Sequence, residues 1–167
     1  AAFFVFASAF WAMLPLVARD VLGGGPTLYG VLLAAVGAGA VGGAFLLPRI
    51  KAALGADRTV AAGTLGTALS MVAIGAASHP TVAVAACALA GLSWIAVLSS
   101  LNVSAQSALP DWVRARGLSV FLTVFFGSMS LGSLAWGQVA SFFGLTTALL
   151  VAAAGALVAI PLVRRVG

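Results

Sequence analysis

Charged residues are scarce in this chain of 167 residues. Only 7% of the residues are Asp, Glu, Lys or Arg, and three acidic residues stand against eight basic ones. Soluble domains carry about 25% charged residues. With 63% hydrophobic residues, the chain has too little polar material to cover its apolar surface in water. The composition predicts an all-α membrane protein, and basic residues at the ends of apolar runs favour lipid headgroups over nucleic acid as their partners.

Cysteine and histidine are each present once, as Cys87 and His79. A single cysteine excludes an intrachain disulfide and a cysteine metal cluster. His79 stands beside Pro80 in a predicted turn, so we interpret it as a solvated residue and not as a proton carrier. All three acids, Asp20, Asp57 and Asp111, also fall in predicted loops. The predicted spans therefore contain no carboxylate, and the chain is expected to hold no metal and no other cofactor.

The motifs of membrane enzymes and ATP-driven pumps are missing. The stretch Gly91-Leu92-Ser93-Trp94 lacks the second glycine of an intramembrane serine protease signature, and the histidine lies outside the apolar runs. A nucleophilic serine needs a neighbouring base. No GxxxxGK loop for ATP phosphates is present. The sequence thus predicts a protein that is not an enzyme.

Six long apolar runs dominate the chain. A helix that crosses the bilayer needs about 20 largely apolar residues, and Pro, Gly and charged residues mark the ends of each run. Pro48 and Arg49 are predicted to stop the second span. Because the chain opens inside an apolar run, we expect it to be a fragment that lacks an upstream portion. The predicted spans are about 1–18, 28–47, 59–77, 81–104, 118–140 and 145–163.

The basic residues separate by side. In a six-span chain, the segments after spans two, four and six share one face of the membrane, and the opposite face has only Arg19. The positive-inside rule assigns the basic face to the cytoplasm. We expect cytoplasmic loops to contain Arg49, Lys51, Arg58, Arg114 and Arg116, with Arg164 and Arg165 after the last span.

Glycine is concentrated in the second and fifth spans. Small residues four apart let membrane helices approach closely, and these two spans are the middle members of two successive triplets. The pattern suggests a 3+3 inverted repeat, although membrane helices are in general rich in glycine. The predicted helix-packing residues are Gly39, Gly43, Ser128, Gly132, Ser133 and Gly137.

Three stretches carry a family resemblance: FFVFASAFWAMLPLVARD at 3–20, the glycine-rich span that runs into Pro48-Arg49 before Gly55-Ala56-Asp57-Arg58, and LPDWVRARG at 109–117. Together they resemble the C-terminal six helices of the major facilitator superfamily, in the siderophore and macrolide efflux (transmembrane secretion effector) branch. The resemblance implies helices seven to twelve of a multi-pass transporter in the plasma or inner membrane, a missing N-terminal half-bundle as partner, and protons as a candidate coupling ion.

One cytoplasmic signature of that superfamily is altered here. Pro48 stands where an acidic residue is expected, so the basic residues around it are interpreted as headgroup anchors, with gating as the alternative. The resemblance also implies that spans one, two, four and five face the cavity or the partner half. Spans three and six would then face lipid.

Candidate substrate-cavity residues lie in spans one and four. Asn102 and Gln106 are four residues apart on one helix face, with Ser99 adjacent. Polar side chains within a membrane span are energetically costly unless they have hydrogen-bond partners. These three residues could contact a substrate, or they could lie near headgroup water or join helices. Span one also contains Trp11, and its Phe3, Phe6 and Phe10 recur at helical spacing as an aromatic stripe that could bind a lipophilic solute or serve packing.

Other aromatic residues are harder to assign. Trp94, Phe125 and Trp136 admit the same two interpretations, while Trp112 is expected at the membrane interface. The sequence as a whole predicts a secondary transporter that exports a small amphipathic molecule by alternating access. The alternative is a membrane scaffold or assembly subunit that transports nothing.

Overall fold

A computed structural model describes the backbone of residues 1–164 and the side chains of residues 1–159. This part of the chain is helical and contains no strand. Arg165 and the side chain of Arg164, which we predicted to be cytoplasmic, lie outside the described residues. The helices are α1 (Ala2–Leu16), which continues as a π-helical turn (Val17–Val21), α2 (Pro26–Leu54), α3 (Ala56–Gly75), α4 (Pro80–Ser107), α5 (Arg114–Phe143) and α6 (Leu145–Arg164).

Four of these helices are long and apolar enough to cross a membrane. They are α1 together with its π-helical turn, α2, α4 and α5, judged by length and composition over the described residues. Each of the six predicted spans coincides with a helix. In lipid, helices satisfy every backbone hydrogen bond within the segment, which is why apolar runs of this length become helices.

The second helix does not stop at Pro48 and Arg49 as predicted. Helix α2 continues through Pro48 to Leu54 and is separated from α3 by Gly55 alone. Proline lacks an N–H and destabilises a helix interior, but membrane helices tolerate it when neighbouring groups compensate. The chain reverses at Gly55 instead, where φ is 78°, a value that favours glycine because it has no Cβ.

The basic residues predicted in cytoplasmic loops are therefore helical. Arg49 and Lys51 lie in α2, and Arg58 lies in the first turn of α3. Arg114 and Arg116 begin α5. The reason is the same extension of the helices beyond the apolar runs, since a helix does not end where its side chains become charged. These residues lie at helix ends, which is where charged side chains reach headgroups and water.

Helix α2 packs on α4 through glycine. A Cβ added at Gly39 would lie 1.9 Å from the carbonyl oxygen of Ala88, and one at Gly91 would lie 1.9 Å from that of Val36. Gly43 approaches Leu92 in the same interface. Residue numbers rise together along the two helices, so α2 and α4 are parallel. Gly39 and Gly43, which the sequence predicted for helix packing, both lie in this interface.

Helix α5 packs on α1 in a similar way. A Cβ at Gly132 would lie 2.2 Å from Ser8 Oγ and 2.7 Å from the Val5 carbonyl oxygen. Gly132 is buried as predicted, but Gly137 meets nothing within 4 Å and is exposed. Five residues turn a helix by about 140° beyond a full turn, so Gly137 points away from α1. Ser128 and Ser133 are half-buried.

Helices α3 and α6 complete the bundle. Helix α3 contacts both α4 and α6, and α6 also contacts α1. Gly63 and Gly66 of α3 pack on Ser93 of α4, and Thr146 Oγ1 donates to the Gly75 carbonyl oxygen at 3.1 Å. The core between these helices is apolar and includes Phe10, Met13, Leu14, Leu32, Met71, Ile74 and Leu149.

The basic residues share one end of the bundle. Lys51, near the end of α2, reaches Ser99 in the last part of α4, so these two helices end on the same side. Because α3 begins directly after α2 and α5 begins shortly after α4, the starts of α3 and α5 lie there too. We call this the basic end; it contains Arg49, Lys51, Arg58, Arg114 and Arg116. Arg19 lies at the far end of α1.

Candidate functional site

Aromatic rings from three helices meet where α1, α4 and α5 converge. The aromatic cluster consists of Phe3, Phe4 and Trp11 of α1, Trp94 of α4 and Phe125 of α5. The ring centroids of Phe4 and Phe125 are 4.7 Å apart, and those of Trp11 and Trp94 are 5.5 Å apart. Both pairs are edge-to-face, the arrangement that aromatic quadrupoles favour. Trp94 is central, because it also contacts Phe3 and Phe4 at 6.1 Å.

The structure does not gather the predicted aromatic stripe of α1 on one surface. Trp11 belongs to the aromatic cluster, and Phe10 is buried against it at 5.7 Å. Phe6 packs instead on Trp136 of α5, at 6.0 Å, and against Gly155 of α6. Spacings of three and four residues leave successive rings tens of degrees apart around the helix, enough to send them to different neighbours.

The cavity beside the cluster is small. It lies between α1, α3 and α4 and has a volume of about 10 Å³, roughly the space for one water molecule. Ligand pockets for small molecules measure about 300–1,000 Å³. This cavity cannot hold a drug-sized solute. Its lining residues are Ala7, Phe10, Trp11, Thr67, Ala90 and Trp94.

The candidate polar residues form a cluster at the basic end of α4. Gln106 donates from its amide nitrogen to Asn102 Oδ1, one helical turn away. Lys51 Nζ lies 3.4 Å from Ser99 Oγ, and both residues are half-buried. The sequence predicted Ser99, Asn102 and Gln106 near one another on one helix, but it gave no signal that Lys51 contacts Ser99, since 48 positions separate the two.

Charge is uneven along the bundle. The basic end has five basic residues and two acidic ones, Asp57 and Asp111, and Asp111 pairs with Arg114. At the opposite end, Arg19 Nε and Asp20 Oδ1 are 2.6 Å apart and exposed. These are the two ion pairs within residues 1–159. Over the described residues, no group of three His, Cys, Asp or Glu side chains comes together to hold a metal ion.

A family comparison extends over nearly the whole chain. The family model described as transmembrane secretion effector matches residues 1–166. The chain belongs to the transmembrane secretion effector family. This is a family of major facilitator transporters and not of enzymes, so the helices described above belong to a multi-pass membrane protein. Neither the curated proteins nor the solved structures contain a match.

Membership in the transmembrane secretion effector family gives the observed features a context. Transporters bind solutes between helices near the middle of the bilayer, and in this chain aromatic rings of α1, α4 and α5 meet between the helices. The glycine contacts of α2 with α4 and of α5 with α1 set the spacing of the helices around these rings.

Proposed function

We propose that this chain is the C-terminal half of a secondary transporter that exports a small amphipathic molecule across the plasma or inner membrane by alternating access. The observation that carries the proposal is the family match over residues 1–166. The contacts between the helices support it, because the first three helices and the last three make matching contacts. The reaction is translocation, and no covalent bond is made or broken.

The helix partners support a 3+3 inverted repeat of six spans. Helix α2 packs on α4, and α5 packs on α1; α3 packs on α4, and α6 packs on α1. Exchanging the first three helices with the last three therefore leaves the pattern unchanged. The two middle helices also make their contacts through glycine, at Gly39 and Gly43 in α2 and at Gly132 in α5. Such repeats underlie the rocking motion of secondary transporters.

The partner proposed for this half is an N-terminal bundle that covers α2 and α5. These two helices are the least buried of the four long apolar ones, with 22% and 6% of their most apolar windows buried. Val41 of α2 is 60% exposed, and Leu131 of α5 is 69% exposed. Contiguous apolar faces of this kind mark surfaces for lipid or for another protein. We assign them to the other half of the transporter.

The substrate site is proposed on the face between α2 and α5. Trp11 and Trp94 are half-buried there, and Ser99, Asn102 and Gln106 follow along α4 toward the basic end. The N-terminal half would supply the remaining wall, because the cavity beside the aromatic cluster is too small for a solute. Phe10 borders that cavity, whereas we assign Phe6 to packing between α1, α5 and α6.

Orientation and coupling follow from the charges. The basic end is proposed to face the cytoplasm, where its exposed side chains, those of Arg49, Arg58, Arg114 and Arg116, would also contact lipid headgroups. In the described residues, each of the three carboxylates lies near a helix end, outside the apolar middle of the bundle. If protons drive export, we expect the coupling carboxylate to be in the N-terminal half.

Flux measurement on the full-length protein tests this function. The protein is reconstituted in liposomes under an imposed pH gradient, and the movement of a panel of small amphipathic dyes, both anionic and cationic, is compared with that in empty liposomes. We expect protein-dependent flux. A soluble domain encoded upstream in place of six further spans, with no flux across a panel of solutes, would reject transport and favour a scaffold.

A further inference from the structure

Lys51 is a cation held in a half-buried position without a carboxylate. Its ammonium lies 3.4 Å from Ser99 Oγ, and within residues 1–159 the ion pairs involve other residues. A partly desolvated ammonium is stabilised by an opposite charge. The packing of α2 on α4 holds this one beside a neutral hydroxyl, so the position suits an anion that arrives from outside the chain.

Two residues of α4 offer hydrogen-bond donors at this end: Ser99, which contacts Lys51, and Asn102. Ser99 offers a hydroxyl, and Asn102 lies three residues further along the same helix. The side-chain oxygen of Asn102 accepts from Gln106, so its NH₂ group remains as a donor. An ammonium, a hydroxyl and an amide NH₂ on two adjoining helices form a donor set that matches a carboxylate, sulfonate or phosphate.

The surrounding charge also favours an anion. Basic residues outnumber acidic ones at this end, and Asp111 is already paired with Arg114. The electrostatic potential at the basic end is therefore positive, which attracts anions and repels cations. A lipophilic cation would meet no free carboxylate among the described residues of α4.

An apolar surface continues from Asn102 and turns away from Ser99, which lies about 140° around α4 from Trp94. Trp94, Leu98 and Asn102 recur every four residues along α4, and all three are half-buried. Positions four apart lie on one helix face, and eight residues extend about 12 Å. That length fits a two-ring or three-ring apolar body with a charged group at one end.

We propose that Lys51, Ser99 and Asn102 form a subsite for the anionic head of the transported molecule, and that Trp94 and Leu98 contact its apolar body. The substrate class is thus an amphipathic anion. This inference rests on the proposed function, because it names the substrate class for the site already proposed on this face of α4.

A pair of dyes separates charge from shape. Anilinonaphthalene sulfonate and N-phenylnaphthylamine share the same aromatic body, and only the first carries a negative charge. Binding of each dye to the purified full-length transporter, in phosphatidylcholine vesicles, is followed by dye fluorescence and compared between wild type and Lys51→Gln. We expect Lys51→Gln to weaken sulfonate binding about tenfold, which corresponds to about 1.4 kcal/mol, because a hydrogen bond to a charged group is lost. Binding of the neutral dye should change less than about twofold by the same measure.

Two further variants control for indirect effects. Arg49→Gln removes the same charge from an exposed neighbour and should change sulfonate binding less than about twofold, because screened surface charges contribute little. Lys51→Arg should restore most of the affinity. Equal losses in Lys51→Gln and Arg49→Gln, or no loss in either, would overturn the subsite.

The lipid composition of the vesicles separates substrate binding from headgroup binding. A dependence on Lys51 that appears only when the vesicles contain phosphatidylglycerol would show that the position binds a headgroup and would overturn the substrate assignment. Wild-type protein that binds the sulfonate no better than the neutral dye would overturn it as well. Binding and flux are measured separately. A binding result that rejects the anion subsite therefore leaves the flux test of the transporter unaffected.

Discussion

Trp136 of α5 donates its indole N–H to the backbone carbonyl oxygen of Val5 in α1, at 2.8 Å. The hydroxyl of Ser8 donates to the same oxygen at 2.7 Å. The Trp136 bond joins two helices that are separated by 131 positions in the sequence, and it lies beside the close contact of Gly132 with α1. One carbonyl oxygen therefore serves as the meeting point of α1 and α5.

Replacing Trp136 with Phe should weaken this helix pair. The substitution removes the N–H and keeps an aromatic ring against Phe6, so the expected loss is about 0.6 kcal/mol and at most about 1.7, the range for hydrogen bonds between membrane helices. Denaturant or thermal unfolding of the full-length protein in detergent measures it. Trp112→Phe is the control, because Trp112 is 86% exposed. Equal stabilities for the two variants would contradict the role of the Trp136 bond.

Gly39→Ala should disturb the contact of α2 with α4. The added Cβ would lie 1.9 Å from the Ala88 carbonyl oxygen, so the helices must separate, and such overpacking costs about 1–3 kcal/mol. The midpoint of thermal unfolding measures the loss. Gly42→Ala tests the interpretation, because a Cβ there meets nothing within 4 Å; the helix propensity of Ala over Gly should then leave its stability equal or higher. A loss at Gly42 as large as that at Gly39 would argue against the interface.

Lipid exposure should differ between α2 and α3 in the full-length protein. Val41 of α2 is 60% exposed in this chain and Leu69 of α3 is 53% exposed, but only Val41 lies on the face assigned to the N-terminal half. A nitroxide attached to a cysteine at position 69 should collide freely with oxygen dissolved in the bilayer. The same label at position 41 should be protected. Equal collision rates in electron paramagnetic resonance would remove the support for a partner on α2.

The two ends of the bundle should be accessible from opposite sides of the membrane. We expect Arg58→Cys to react with an impermeant maleimide only after the cells are permeabilised, because positive residues stay in the cytoplasm. His79→Cys should react in intact cells, since His79 begins α4 at the other end. The native Cys87 is buried and gives the background. Labelling of both positions from the same side would contradict the orientation.

Local features of this chain could be predicted from the sequence, whereas contacts between helices could not. Sequence reasoning found a helix at each apolar run, and it placed Asn102 beside Gln106 because spacings of three or four residues are local properties of a helix. It stopped α2 at Pro48, since local rules treat proline as a helix end, whereas the helix continues to Leu54. It also gave Gly39 and Gly137 the same role. The structure buries Gly39 against α4 and leaves Gly137 open.

Composition and span length alone determined that this is a helical membrane protein whose basic residues gather at one end, because hydrophobicity and helix length depend on neighbours in the sequence. Only the tertiary structure decided which face of each helix meets which neighbour: Lys51 with Ser99, Trp136 with Val5, and Trp11 with Trp94. In a soluble helix a polar face would have revealed the buried side. Here nearly every face is apolar, so the choice of partner rests on packing between distant residues and leaves no periodic signal in the sequence.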